Sequence, residues 1–251
     1  MRTAIGLAIL LAALIPVAGS AADPGTIAQY TADYEVRYKG RRVARAQFGV
    51  TADQDSNFIF NSTTQARGIW RMAAPDPAIE WSRFALQSDG IQPLEFRYQD
   101  GSRKGEDNYS LVFDASAAEI RLSAGTGDRS IPFEPAVLDR GSLQVALMQA
   151  LSMCTMPRSY RYIDDDGTIN AYAYERLEDL PLETELGTLD TIRLSQHREG
   201  SSRVTVLWMS PAHAYVPVRI EQIRNGETET VFSIEALSEI EGATAPCSSF
   251  R

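Results

Sequence analysis

The chain has 251 residues, 44% of them hydrophobic, with a formal net charge of −9 and only two histidines and two cysteines. That size fits one β-rich domain or at most two small ones. The acidic balance disfavours a phosphate backbone as partner, so nucleic acid is not expected.

The N-terminus reads as a secretory signal peptide. Arg2 is the positive start, Ala4 to Val17 is apolar, and the small residues Ala18 to Ala22 precede the polar Asp23. Cleavage is expected after Ala22, with Ser20 nearly as good, leaving residues 23–251 as the mature domain. The apolar run is shorter than the ~20 residues a spanning helix needs, which argues against the alternative of an uncleaved anchor. No cysteine follows it to carry a lipoprotein acyl chain, and no later segment approaches spanning length. An exported, periplasmic protein is the expectation.

Beyond the leader the dominant period is two. Tyr30, Ala32, Tyr34, Val36 and Tyr38 alternate with polar neighbours, then Lys39-Gly40-Arg41 turns into a strand carrying Val43, Ala44, Ala46, Phe48 and Val50. Phe58 to Ala66, Ile79 to Gln87 and Leu94 to Tyr98 (after Pro93) continue the rhythm. Tyr109 to Phe113 and Glu119 to Leu122 form a hairpin. Tyr160 to Ile163, Ile169 to Glu175, Thr188 to Gln196, Val204 to Met209, Val216 to Ile223 and Thr228 to Ile240 read as further strands. About a dozen strands joined by Asp, Gly, Asn and Pro turns predict an antiparallel meander, a curved sheet or half-open barrel.

One segment breaks the rhythm. In LDRGSLQVALMQALSMC, Leu143, Ala146, Leu147, Ala150, Leu151 and Cys154 fall at helical spacing, Asp139 or Ser142 can cap the start, and Pro157 stops it. This predicts a single central amphipathic helix packed on the sheet, with Cys154 on its last inward turn. In an oxidising compartment two thiols usually pair. A Cys154–Cys247 bond would close a loop of 93 positions and contribute on the order of 4 kcal/mol. The alternative is two free thiols.

No G-x-S-x-G, H-E-x-x-H or C-x-x-C occurs. His213 lies in a Pro211–Tyr215 turn and His197 at a strand end beside Arg198 and Glu199. With Gly167 placed at loop position 6, Asp164-Asp165-Asp166-Gly167 puts Tyr162 and Ala173 where a calcium loop needs ligands, so a hairpin turn is the better reading. Gly125-Thr126-Gly127-Asp128 lacks the lysine and helix start of a phosphate loop. No metal, cofactor or catalytic residue is assigned, and a non-enzymatic protein is favoured. The distributed aromatics, among them Tyr34, Tyr38, Phe48, Phe60, Trp81 and Trp208, read either as ordinary sheet core or as the lining of an apolar groove for a lipid or a lipoprotein acyl chain. Two other classes stay open: a module that binds another envelope protein through a strand edge, and a glycan-processing hydrolase, which needs a cleft carboxylate pair.

Tyr34-x-Val36-x-Tyr38-Lys39-Gly40, Leu138-Asp139-x-x-Ser142-Leu143, the Leu-Gly-Thr hairpin and Trp208-Met209-Ser210-Pro211 through Tyr215 to Val216-Pro217-Val218-Arg219-Ile220 resemble the DUF3108 family of exported bacterial proteins of unknown function. The resemblance implies a periplasmic antiparallel β fold and, more distantly, kinship to lipoprotein carriers similar to the LolA and LolB group. It implies no catalytic residues. In that hairpin Arg219 is expected to pair with Glu221 or an acid across the sheet.

Overall fold

The computed structural model describes residues 26–250. The segment read as a signal peptide lies outside them. In chain order the strands are β1 (Tyr30–Tyr38), β2 (Arg41–Ala52), β3 (Phe58–Ala66), β4 (Ala78–Gln87), β5 (Gly90–Gln99), β6 (Tyr109–Asp114), β7 (Glu119–Ala124), β8 (Gly127–Pro132) and β9 (Val137–Leu138). The helix α1 (Arg140–Ser152) follows. Then come β10 (Ser159–Ile163), β11 (Ile169–Arg176), β12 (Leu182–Thr184), β13 (Gly187–Leu189), β14 (Ile192–Arg198), β15 (Arg203–Ser210), β16 (Val216–Arg224) and β17 (Glu227–Leu237).

Fifteen strands form one sheet in the order β8-β7-β6-β5-β4-β3-β2-β1-β17-β16-β15-β14-β11-β10-β9, and β12–β13 is a separate hairpin. Every pairing is antiparallel except β9 with β10. The alternation predicted for β1 is seen directly: Tyr30, Ala32, Tyr34 and Val36 are buried. The sheet is open and strongly curved. Its two flanks meet through side chains, not through a ladder. Arg129 of β8 donates to the Asp166 carbonyl at 2.9 Å, and Gly167 lies so close to Ile131 and Leu122 that a Cβ there would sit 2.8 Å from Ile131. A second apolar cluster of Phe96, Tyr109, Leu111, Phe113, Ile120, Leu122, Val137 and Ile163 fills this seam.

Because the meander alternates, the turns β1–β2, β3–β4, β5–β6, β14–β15 and β16–β17 fall on one rim, here called the mouth. Turns β2–β3, β4–β5 and β15–β16 fall on the base. The base is closed by the end of α1 and by the Cys154–Cys247 disulfide, whose Cα atoms lie 5.4 Å apart. The Cys247 N–H donates to the Tyr215 hydroxyl at 2.9 Å in the β15–β16 turn.

Several expectations shift in detail. α1 packs on the sheet as expected, but more than its one apolar stripe is enclosed: Leu143, Val145, Ala146, Leu147, Met148 and Leu151 are all buried, because the sheet curls around it. Cys154 is not on its last turn. It lies past the C-cap Met153 with φ +58°, in the left-handed region. β5 runs through Pro93, since β6 pairs with it only from Glu95 onward and the earlier part is bonded on the β4 side alone. The strand read as Thr188 to Gln196 is two, broken at Asp190-Thr191. His197 lies inside the sheet, with β14 flanked by β11 and β15. β8 went unread because Gly127–Pro132 has no apolar alternation.

Asp139 is the N-cap of α1. Its buried carboxylate accepts from the Gly141 and Ser142 N–H groups and from the Ser82 hydroxyl, each at 2.9 Å, and Ser142 completes a capping box. Burial is the main influence and pushes this acid up to about 6, against hydrogen bonds that lower it. The native state therefore holds a proton between about pH 4 and pH 6 that the unfolded chain releases. Stability from this group falls as pH rises through that window, by on the order of 2–3 kcal/mol. Asp139→Asn should remove this slope. Urea midpoints of both proteins from pH 4 to 7 test it, and a constant gap between them would exclude a desolvated carboxyl.

Candidate functional site

α1 fills only part of the concavity. Toward the mouth, Arg140, Leu143, Gln144 and Leu147 face a cleft of about 550 Å³ whose other wall is the concave side of β11 and β14–β16. A lobe of about 340 Å³ adjoins it, sharing Glu80, Arg140, Gln144, Ile220 and Gln222 and floored by Phe48, Phe60 and Phe232.

Strand register sorts the cleft wall by polarity. Leu194, Leu207, Ile220 and Phe232 stand opposite one another across β14–β17. Two residues nearer the mouth, Gln196, Thr205 and Gln222 form the next row, extended to Tyr174 on β11, whose hydroxyl accepts from Gln196 at 2.9 Å. Two further on, Arg203 stands directly opposite Arg224, and Arg198 occupies the adjoining place at the end of β14. The wall thus passes from apolar through amide and hydroxyl to cationic over three rows.

Like charges directly opposite on an antiparallel pair destabilise it. Here the repulsion is little relieved. Arg198 has an ion pair with Asp164 at 3.5 Å. Neither Arg203 nor Arg224 has an ion-pair partner among the described residues, although Glu227 is the register partner of Arg224. In a chain of net charge −9, these arginines form a local cationic row.

A second polar node lies at the start of α1. Arg140 donates to Glu80 at 2.9 Å and stacks its guanidinium over Tyr98 at 4.8 Å. Burial works against the charge of Arg140, but Glu80 and the two tyrosines outweigh it and hold the group firmly protonated. Burial pushes the hydroxyls of Tyr98 and Tyr109 up, and Tyr109 has no hydrogen-bond partner for its hydroxyl among the described residues. The cleft carboxylates Glu80 and Asp164 are therefore each engaged by an arginine.

The aromatics singled out from the sequence divide three ways. Tyr34, Phe48 and Phe60 are buried in the main core, and Phe48 and Phe60 also floor the lobe. Tyr34 donates to the Pro217 carbonyl at 2.8 Å. Tyr38 stands at the mouth rim beside Trp70. Trp81 and Trp208 lie on the other face of the sheet, stacked with Arg97 at 5.2 Å and Arg193 at 4.2 Å. Arg219 pairs with Glu221 at 2.5 Å. His213 takes part in a local hydrogen bond with Ser210 at 2.9 Å, and no carboxylate bonds its ring among the described residues. Among those residues no cluster of three or more His, Cys, Asp or Glu side chains could hold a metal ion. The cationic row was missed. Its signal lay in the short turn Glu199–Ser202, which places Arg198 and Arg203 across from each other once the hairpin is paired.

The architecture, a single curved sheet wrapped on a helix with a ladder that does not close, is that of a β-barrel-like protein. The chain belongs to the family "Protein of unknown function (DUF3108)", whose model matches residues 33–232. No curated protein matches it in sequence. Among solved structures it is similar to a β-barrel-like protein of a domain of unknown function, DUF1849, from Brucella abortus, with a TM-score of 0.54 at 7% identity, over 85% of this chain and 98% of that one. Two weaker likenesses are to a protein described as exported, with a YmcC-like fold, from Bacteroides fragilis (TM-score 0.36, 12% identity, 84% and 95% covered) and to one described as a lipoprotein from Parabacteroides distasonis (TM-score 0.32, 11% identity, 84% and 95% covered). The first likeness concerns the fold alone, and the other two carry no argument.

Proposed function

We propose that the chain is an exported, non-enzymatic binding protein whose residues 23–251 act as one domain, and that its cleft takes an amphiphile with an apolar chain and an anionic head. The observation that carries this reading is the three-row grading of the wall. Leu207, Ile220 and Phe232 match an alkyl chain, Gln196, Thr205 and Gln222 a polar linker, and Arg198, Arg203 and Arg224 an anion at the mouth. The cleft volume falls in the ordinary range for small-molecule sites. The disulfide agrees with an oxidising compartment, the periplasm being the natural one, and no helix among the described residues is long and apolar enough to cross a membrane. Strand addition by another envelope protein finds less support, because the free edge strand β8 carries Asp128, Arg129 and Ser130, charges and polarity that discourage pairing.

A fluorescent fatty-acid probe below its micellar concentration should bind, and native mass spectrometry of gently purified protein should show a co-purified lipid. Replacing both Arg203 and Arg224 by Gln should weaken the probe about tenfold, the scale of a charge-assisted hydrogen bond. A neutral monoacylglycerol should be affected little. No bound lipid and no probe binding would end the proposal.

A further inference from the structure

Six large hydrophobic side chains are exposed among the described residues, and four of them gather at one place on the mouth rim. Ile69 is 77% exposed, Met72 83% and Trp70 38%, all on the short 3₁₀ turn Gly68–Met72 between β3 and β4. Tyr38, 36% exposed, ends β1 with its ring centroid 6.5 Å from that of Trp70. The turn is fastened to the sheet, since the Arg67 N–H donates to the Val43 carbonyl at 2.8 Å. It is therefore a fixed apolar projection.

The charge around the projection is basic. Arg41, Arg67 and Arg71 have no ion-pair partner among the described residues, and Lys39 has only a long contact to Glu229 at 3.8 Å. On the same rim the β5–β6 connection, which abuts this segment through the Asp76 N–H to the Gly101 carbonyl, carries both signs in Asp100, Arg103, Lys104, Glu106 and Asp107, and the β10–β11 turn across the mouth carries Asp164 to Asp166.

We infer that this projection docks the mouth on an anionic lipid bilayer. Ile69 and Met72 would enter the acyl region, Trp70 and Tyr38 would lie at head-group level, where amphipathic rings are favoured, and Arg41, Arg67 and Arg71 would meet lipid phosphates. A protein partner fits less well, because three side chains on a five-residue turn and one at the end of β1 fall far short of the ~800 Å² per partner of a stable interface. The inference rests on residues outside the cleft, so it stands or falls separately from amphiphile binding.

Co-sedimentation of the full mature chain with vesicles of phosphatidylcholine alone, or with one quarter phosphatidylglycerol, tests it. Binding is expected to the anionic vesicles and to weaken at least about tenfold on neutral vesicles or in 0.5 M salt. The double substitution Ile69→Asp and Met72→Asp should abolish it with an unchanged thermal melt. Arg67→Gln with Arg71→Gln should remove the preference for anionic lipid. A blue shift of tryptophan emission on binding should vanish in Trp70→Phe. Absence of binding to anionic vesicles, equal binding to neutral ones, or wild-type binding by the Asp variant would each overturn the inference.

Discussion

Removal of the Cys154–Cys247 bond is expected to lower stability by about 4 kcal/mol. The bond closes a loop of 93 positions that contains every strand from β10 to β17. Loop-closure entropy assigns that magnitude to the constraint it places on the unfolded chain. The native contacts of the tail survive its loss, since the Cys247 N–H still reaches Tyr215 and Phe250 still packs edge-on against Tyr215 at 6.2 Å. The effect therefore acts through the unfolded state. Cys154→Ala, Cys247→Ala and the double variant should lose the same amount, because each removes the same bond. Urea midpoints should fall together in all three and match wild type under reductant. A loss below about 1 kcal/mol would show that the unfolded chain is already held compact without the bond. Position 154 allows a refinement. With φ at +58°, alanine there keeps a left-handed strain of roughly 1 kcal/mol that glycine does not have, so Cys154→Gly with Cys247→Ala should be the more stable of the two double variants.

The sheet was legible because its signal is local. Each strand shows its own alternation, as Tyr30 to Val36 do, and each turn shows its own Gly, Asp or Pro. Where alternation is absent no strand is legible, as in β8, and Pro93 reads as a stop for β5 although only one neighbour, β4, bonds to it there. The helix was legible as a helix but not as an enclosed one, because the apolar residues off its stripe, Val145 and Met148, matter only once the sheet closes round them. The aromatics posed a choice between core and groove that periodicity cannot decide. Curvature decides it residue by residue: Tyr34 is core, Phe48 and Phe60 belong to core and lobe alike, and Trp81 and Trp208 face away. The arginine row lay beyond a one-dimensional reading for the same reason. Arg198, Arg203 and Arg224 read as solvated strand ends until register sets them side by side and curvature turns them toward the cleft.

Phe60→Ala is expected to cost about 3 kcal/mol and Phe84→Ala nearer 5, although the side chain removed is the same. Both rings are buried on the concave face, on neighbouring strands. Phe60 packs near Phe48 with a centroid distance of 6.3 Å and lies under the first turn of α1, where Gly141 comes so close that a Cβ would sit 2.8 Å from the ring. It also floors the lobe, so the space it vacates opens onto the cleft and the cavity contribution is reduced. Phe84 stacks on Phe58 at 5.9 Å and borders neither the cleft nor its lobe, so its removal leaves a closed void with the full cavity cost. Chemical denaturation of the two variants should rank them in that order, with Phe60→Leu losing less than about 1.5 kcal/mol. The consequence for binding is opposite in sign. Phe60→Ala lengthens the apolar floor beneath Ile220 and Phe232 and should admit a longer alkyl chain than the wild type, whereas Phe84→Ala should leave chain-length preference unchanged. If Phe60→Ala proved the costlier, the lobe would have to be sealed from the cleft in solution, and the apolar end of the graded wall would lie elsewhere.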